Sequence, residues 1–458
     1  MRNKEKDAPR DRWHLVGFIF FILGLGTLLP WNFFMTASKY FNNRLNTSEW
    51  NNGTLTDTKE YYFNNWMTLL SQLPLLLFTL LNSILYPRIS EKMRIAGSLV
   101  FMLIFFILTA ILVKVPMEQD HFFSITMATI WFINSFGAVL QGSLFGLVGL
   151  LPQKYSSVFM SGQGLAGTFA ALAMLLSIAG ETDEETAALG YFITPCVGTL
   201  VTLMSYLLLP KLEFARFYLN KREGQSYEVN ASGVLLPTDG QENGELNRQA
   251  TDSVPSGTPS STETDGAKQA FVGLDVEHAK QAKSSVLEVL KKIRVMAFCV
   301  TFVFTVTLSV FPAVTVDVKT VYPGKWESYF IPVCCFLLFN VMDWTGRSVT
   351  SIVQWPAKES RLFPALVVSR VIFVPLLMFC NVHERHYLPV LFSNDWVFVV
   401  IMTLFSVSSG YCVCLSMSYA PQLVDPQDGE TAGALMTFFL ALGLSLGAAL
   451  SFLLRLII

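Results

Sequence analysis

The sequence predicts an all-α polytopic membrane protein with about eleven transmembrane helices. Three observations carry that expectation. Of 458 residues, 52% are hydrophobic and 14% charged, with a mean hydropathy of +0.47, whereas soluble domains carry roughly 25% charged residues. Apolar stretches of about 18 residues or more recur along the chain, and in a bilayer only helices and closed barrels satisfy their own backbone. One long polar stretch interrupts them, leaving about six before it and about five after.

The spans begin near Trp13, Trp66, Ile95, Phe123, Ser157, Leu189, Val295, Phe330, Phe363, Trp396 and Thr431. Ahead of the first lies a cytosolic leader, residues 1–12, with Arg2, Lys4, Lys6, Arg10 and Arg12. The loop after the second span holds Arg88, Lys92 and Arg94. Both basic segments face the cytosol by the positive-inside rule, so an odd number of spans leaves the carboxyl end outside. The first outer loop, residues 36–65, carries N-x-S/T acceptors for glycosylation at Asn46 and Asn52, which suits an extracellular position.

Residues 13–210 thus form a first six-helix bundle and residues 293–458 a second, five-helix bundle. Between them, residues 211–292 read as a disordered cytosolic linker, because segments such as SVPSGTPSSTETDG bury too little apolar surface to offset ordering entropy. Its hydroxyls can accept phosphate. The net charge of −2 supplies no field for nucleic acid. Seven cysteines sit in or beside apolar runs without metal-ligand spacing, and read as packing residues.

The eighth span is the centre of the functional reading. It runs FIPVCCFLLFNVMDWTGRSVTS from Phe330 and carries Asn340, Asp343 and Arg347. Each ionisable group at a bilayer centre costs at least ~2.5–3.5 kcal/mol, so such groups face a bundle interior or an aqueous cavity. Asp343 and Arg347 stand at i and i+4, on one helix face. They form a ligand wall, or else a salt bridge locking neighbouring helices.

Gln141 on the fourth span can donate and accept, and Trp31 on the first offers a flat aromatic face. With Asp343 and Arg347 these match an uncharged heterocycle joined to a polyol: ring stacking on Trp31, edge reading by Gln141, hydroxyls held by the charged pair. The plainer alternatives are an interface anchor for Trp31 and an interhelical hydrogen bond for Gln141. Arg94 and Glu430 begin the third and eleventh spans. They can pair when the inner mouth closes, biasing an alternating-access equilibrium, or form an ordinary surface pair. Arg370 in the ninth span reads as a structural pairing residue.

Pro30 and Pro312 lie late in the first span of each half, a parallel that points to a substrate path at a repeat interface. Glycines such as Gly142, Gly146, Gly443 and Gly447 have the spacing of close helix packing. No phosphate-binding loop and no chain of unpaired carboxylates is present, so neither ATP hydrolysis nor a proton relay is indicated. No cofactor is implied. Nothing resembles a nucleophile with its base, which argues against an enzyme.

These residues lie in blocks that resemble the vertebrate equilibrative nucleoside transporters. The blocks are LGLGTLLPWNFF from Leu23, INSFGAVLQGSLFG from Ile133, SGQGLAG from Ser161, FNVMDWTGRS from Phe339 and ETAGALMTFFLALGL from Glu430. The resemblance implies a six-plus-five arrangement like the major facilitator superfamily. It also implies sodium-independent, bidirectional passage of purine and pyrimidine nucleosides across the plasma membrane.

By the same resemblance, the nucleoside site falls on Trp31, Gln72, Leu75, Gln141, Asp343, Arg347 and Leu444. An outer gate falls on Met35, Phe311, Pro312, Phe336 and Asn340, and an inner gate on Arg94 and Glu430. NNWMTLLSQLPLLLFTLLNS and GYFITPCVG look most like the second plasma-membrane paralogue, which would add nucleobases. Met35 and Gly137 look like the first. Two other readings stay open: a proton-coupled carrier, and a membrane receptor that binds nucleosides without moving them.

Overall fold

A chain this apolar must bond its backbone within each segment, and the result is almost entirely helical. The structure, a computed structural model, describes residues 9–36, 38–45, 50–51, 54–55, 61, 63–85, 89–179, 184–219, 285–383, 385 and 387–458. The first half comprises α1 (Leu15–Thr36), α2 (Ser38–Leu45), α3 (Phe63–Leu85), α4 (Ser98–Lys114), α5 (Gln119–Gly149), α6 (Gln153–Ala179) and α7 (Glu184–Leu208). The second half comprises α8 (Val286–Val310), α9 (Lys325–Phe330), α10 (Leu338–Val349), α11 (Leu362–Ser369), α12 (Phe373–Met378), α13 (Asp395–Tyr419) and α14 (Gly429–Ile457). A two-residue antiparallel pair, Trp50↔Leu55 and Asn51↔Thr54, is the one sheet among the described residues.

Nine helical runs among the described residues are long and apolar enough to cross a membrane, and two shorter apolar runs, Leu69–Ile84 and Leu362–Met378, stand where the second and ninth spans are expected. Side chains such as Ile104, Leu176, Trp396 and Phe452 are exposed on the outer faces of these helices, as a lipid-facing surface requires.

Several details differ from the sequence reading. The seventh span starts at Val286, inside the stretch assigned to the linker, because the run VLEVLKKIRVMAF continues the helical pattern backwards from the apolar segment. Residues 213–219 are likewise helical, with Phe214 against Tyr155 at 5.2 Å. The rest of the linker, residues 220–284, and both sequons, Asn46 and Asn52, lie outside the described residues. Pro30 sits within α1, but Pro312 lies beyond the last residue of α8, Val310, in a turn. It therefore follows a helix end instead of bending a helix.

Close approaches fix how the helices cross. A Cβ on Gly24 would stand 2.0 Å from the Phe159 carbonyl oxygen, and one on Gly162 would stand 2.1 Å from that of Phe21. Only glycine at both positions lets α1 and α6 touch backbone to backbone. At the amino end of α1, the Asp11 carboxylate accepts from the Val16 and Gly17 amides at 3.1 and 3.2 Å and from the Tyr155 hydroxyl at 3.0 Å. These bonds satisfy orphan donors of the helix start.

The cores are distributed unevenly along the spans. At the end where Val16, Leu147, Tyr155, Val289, Cys414 and Ala432 lie, side chains from both halves pack into one cluster. At the opposite end each half has its own cluster. One gathers Phe34, Phe41, Phe63, Phe122 and Phe192; the other gathers Val310, Phe330, Cys380, Phe398 and Ile458. The halves are joined at one end and separately packed at the other.

Candidate functional site

Asp343 and Arg347 lie on α10, which continues from α9 through a π-helical segment, Ile331–Leu337. Single π turns inside membrane helices are frequent at functional positions. The i,i+4 spacing brings the Arg347 Nε to 2.7 Å from Asp343 Oδ2, and both residues are 7% exposed. Among the described residues, the Arg347 Nη1 and Nη2 groups and Asp343 Oδ1 make no other hydrogen bond. The pair neutralises itself through one bond and keeps a fork of donors and an acceptor unspent.

Arg370 shows the contrast. It is 2% exposed and sits where a short 3-10 turn, Arg370–Ile372, separates α11 from α12. Its donors go to Ser408 Oγ (3.1 Å), the Val303 carbonyl (3.1 Å), Thr307 Oγ1 (3.1 Å) and the Phe405 carbonyl (3.3 Å), with the Phe405 ring 5.3 Å away. Its guanidinium is spent on tying the ninth span to α8 and α13. The structural pairing expected of it is present, with neutral acceptors in place of a carboxylate.

Around the pair, Gly164 places the α6 backbone against Trp344 and the Arg347 Cδ, and Trp344 Nε1 donates to Ser161 Oγ at 3.1 Å. Behind it, Thr350 Oγ1 donates to the Arg347 carbonyl at 2.6 Å and lies 2.9 Å from Cys414 Sγ. Gln141 is 6% exposed on α5 and its amide makes no hydrogen bond to the described protein. Gln72, half-buried on α3, has a buried Oε1 that also lacks a partner. A buried polar atom left unpaired costs about 1–3 kcal/mol, so Gln72 Oε1, with the unbonded Gln141 amide on the neighbouring α5, marks a place where a polar solute can supply the missing bond. Trp31, Leu75 and Leu444 are half-buried. No hydrogen bond or ring contact among the described residues joins Trp31, Gln72, Gln141 or Leu444 to the charged pair.

The residues expected at the outer gate come together in part. Phe311 and Phe336 meet edge to face at 5.9 Å, Phe311 stacks on Phe339 at 3.8 Å, and Asn340 Nδ2 donates to the Phe336 carbonyl at 2.8 Å. Pro312 follows directly, through a cis peptide bond with Phe311. Met35 lies on the last turn of α1.

At the other end, Arg94 lies on a second π segment, Met93–Gly97, and Glu430 on the first turn of α14. Arg94 Nη2 is 3.5 Å from Glu430 Oε1, with the two residues 4% and 1% exposed. This is a buried pair joining the two halves, so the surface-pair alternative does not describe it. Partners that the sequence does not single out extend it, beside the Ile89 carbonyl, which accepts from Arg94 Nε at 3.1 Å. Arg94 Nη1 donates to Ser143 Oγ at 3.2 Å, and Ser143 Oγ donates to Asn82 Oδ1 at 3.4 Å. A buried serine and asparagine at these positions read locally as helix packing; their role depends on a contact spanning 49 and 61 residues.

The same end is closed by backbone contact. A Cβ on Gly433 would stand 2.3 Å from the Phe145 carbonyl oxygen, so α5 and α14 touch there without side chains between them. Gly433→Ala is therefore expected to destabilise this closed end by about 1–3 kcal/mol through overpacking. The check is the labelling rate of a cysteine introduced at Ala434, which should rise several-fold.

Comparison with known proteins agrees with this architecture. A family described as Nucleoside transporter matches residues 127–456. Equilibrative nucleoside transporter 2 of Rattus norvegicus and of Homo sapiens are each 55% identical to the chain, with 98% of both chains covered. Human equilibrative nucleoside transporter 1 is 46% identical, over 98% of this chain and 99% of its own. Among solved structures, the major facilitator superfamily proton:xylose symporter XylE aligns with a TM-score of 0.59 at 12% identity, covering 98% of this chain and 89% of that one. That likeness shows a major-facilitator-like fold. Identities of 46% to 55% over nearly the full length of these relatives, with the family match over residues 127–456, establish that the chain belongs to the equilibrative nucleoside transporter family.

Proposed function

We propose that the chain carries purine and pyrimidine nucleosides, and nucleobases, down their own gradients across the plasma membrane by alternating access. The observation that carries this reading is the unspent bonding capacity of the buried pair Asp343 and Arg347, set against the fully committed Arg370. An uncharged sugar-linked base gives up water on entering a membrane protein. Side chains that are already neutralised, yet retain free donors and acceptors, replace that water without a second ion.

In this reading Asp343 and Arg347 hold ribose hydroxyls, Gln141 and Gln72 read the base, and Trp31, Leu75 and Leu444 enclose it. Met35, Phe311, Pro312, Phe336 and Asn340 close the outer mouth. Arg94 and Glu430 close the inner one. The amino terminus is cytosolic and the carboxyl terminus extracellular, as the basic leader and Arg88, Lys92 and Arg94 favour. The shared core and the buried ion pair then lie at the cytosolic end, and the structure stands in a state closed inward. Family membership makes the chain a transporter and not an enzyme.

Exchange in vesicles tests the proposal. Purified protein in vesicles preloaded with uridine should take up labelled uridine and adenosine faster than empty vesicles, without sodium, a pH gradient or ATP. Hypoxanthine, run in parallel, should also exchange. Saturable binding without exchange would leave a receptor; accumulation driven by a pH step would make the carrier proton-coupled.

A further inference from the structure

The outer loop between the first two spans contains α2, and its bonds single out a residue to which no function has been assigned. Arg44, near the end of α2, spends its guanidinium on the end of another helix. Nη1 donates to the Leu112 carbonyl at 3.0 Å and the Val113 carbonyl at 2.9 Å, and Nη2 to the Val115 carbonyl at 2.6 Å. These are carbonyls at the carboxyl end of α4, which lack partners within their helix and sit at the negative end of its dipole. Nη1 also donates to Tyr40 Oη at 2.5 Å, and the guanidinium stands 4.1 Å from the Phe122 ring centroid. A fork with this many neutral acceptors and an aromatic face is a rivet.

One turn back on α2, Phe41 is 1% exposed and lies at the centre of a ring cluster. It stacks on Phe34 at 5.2 Å, Phe63 at 5.0 Å and Phe122 at 5.9 Å, and meets Phe192 edge-on at 5.6 Å. These rings come from α1, α3, α5 and α7. Phe34 is the neighbour of Met35 and one turn from Trp31. Pro30 removes one backbone bond from this last stretch of α1, which stays helical to Thr36. The Phe34 and Phe41 stack therefore ties the segment bearing Trp31 and Met35 to α2.

We propose that Arg44 is a positioning residue for the outer gate. By pinning α2 to the end of α4, it makes the final turns of α1 move with the first bundle when the outer mouth closes over a solute. This inference rests on the transporter reading. It concerns how the movement of the bundle reaches position 35, and not which side chains contact the solute.

The test uses a full-length Met35→Cys reporter and a membrane-impermeant thiol reagent applied from outside. In the parent, saturating uridine should slow labelling at least about five-fold by shifting the population toward the closed state. With Arg44→Gln or Phe41→Leu added, the protection should fall below about two-fold, while the folded protein still binds uridine. A merely structural role would lower the amount of folded protein and leave protection per folded molecule unchanged; that result overturns the inference. If Arg44→Gln does not reach the membrane, Arg44→Lys, which keeps the cation at the helix end but not the fork, decides by the same readout. Absence of uridine protection in the parent itself would instead count against the transporter reading.

Discussion

Arg347→Ala is expected to reduce uridine exchange to the level of empty vesicles while leaving a folded protein. The Arg347 side chain bonds the described protein through its Nε alone, to Asp343, so its remaining guanidinium donors are available to a solute. Hydrogen bonds to charged groups contribute about 1.5–3 kcal/mol each. Losing two of them, together with the neutralising partner of a buried carboxylate, predicts a fall of about a hundredfold or more. The unpaired Asp343 can itself disturb the fold, so the double variant Asp343→Asn with Arg347→Gln belongs beside it. That pair leaves no orphan charge, and it should melt near the parent temperature yet still fail to exchange. Arg347→Lys keeps the charge and loses the fork, and its exchange should fall between the parent and Arg347→Ala.

Glu430→Ala should trap the carrier with its inner end open. In the closed arrangement Arg94 and Glu430 are both buried and 3.5 Å apart. Removing one partner of such a buried pair costs about 3–5 kcal/mol. That cost falls only on the state in which the end is closed; once it opens, Arg94 reaches water. The equilibrium should therefore shift by about a hundredfold or more toward the open end. Exchange should drop, and a cysteine at Ala434, whose carbonyl accepts from Ser83 Oγ at 3.2 Å across the seam, should become rapidly labelled from that side. The double variant Arg94→Ala with Glu430→Ala should be less trapped than Glu430→Ala alone, since no charge remains to be stranded. Equal effects of the single and double variants would mean that the pair does not bias the equilibrium.

Much of this was legible in the residues themselves. Apolar runs fix the spans, because length and backbone satisfaction leave a bilayer segment few options. Asp343 and Arg347 announced themselves because charge inside such a run is costly, and their i,i+4 spacing already placed them on one face. Local pattern could not show what depends on distant partners. Arg370 and Arg347 look alike in sequence; only the surroundings reveal that one is fully bonded and the other is not. Arg44 sits in a polar loop, and its acceptors on α4 lie 68 to 71 residues away. Gly433 reads as a generic packing glycine until the Phe145 carbonyl is seen against it. Pro312 lies late in its span, which runs Val286–Asp317, but past the end of α8 at Val310, and the apolar run alone does not say whether a proline there bends a helix or follows its end.

The central claim is that a self-neutralised pair inside the bundle supplies bonds to the hydroxyls of an uncharged solute. An experimental structure with uridine bound tests it most directly. Ribose oxygens within about 3.2 Å of Asp343 Oδ1 and the Arg347 Nη groups, with the base near Gln141, is the predicted result. Uridine bound elsewhere, with the Asp343 and Arg347 pair sealed from it in every state observed, would contradict the claim.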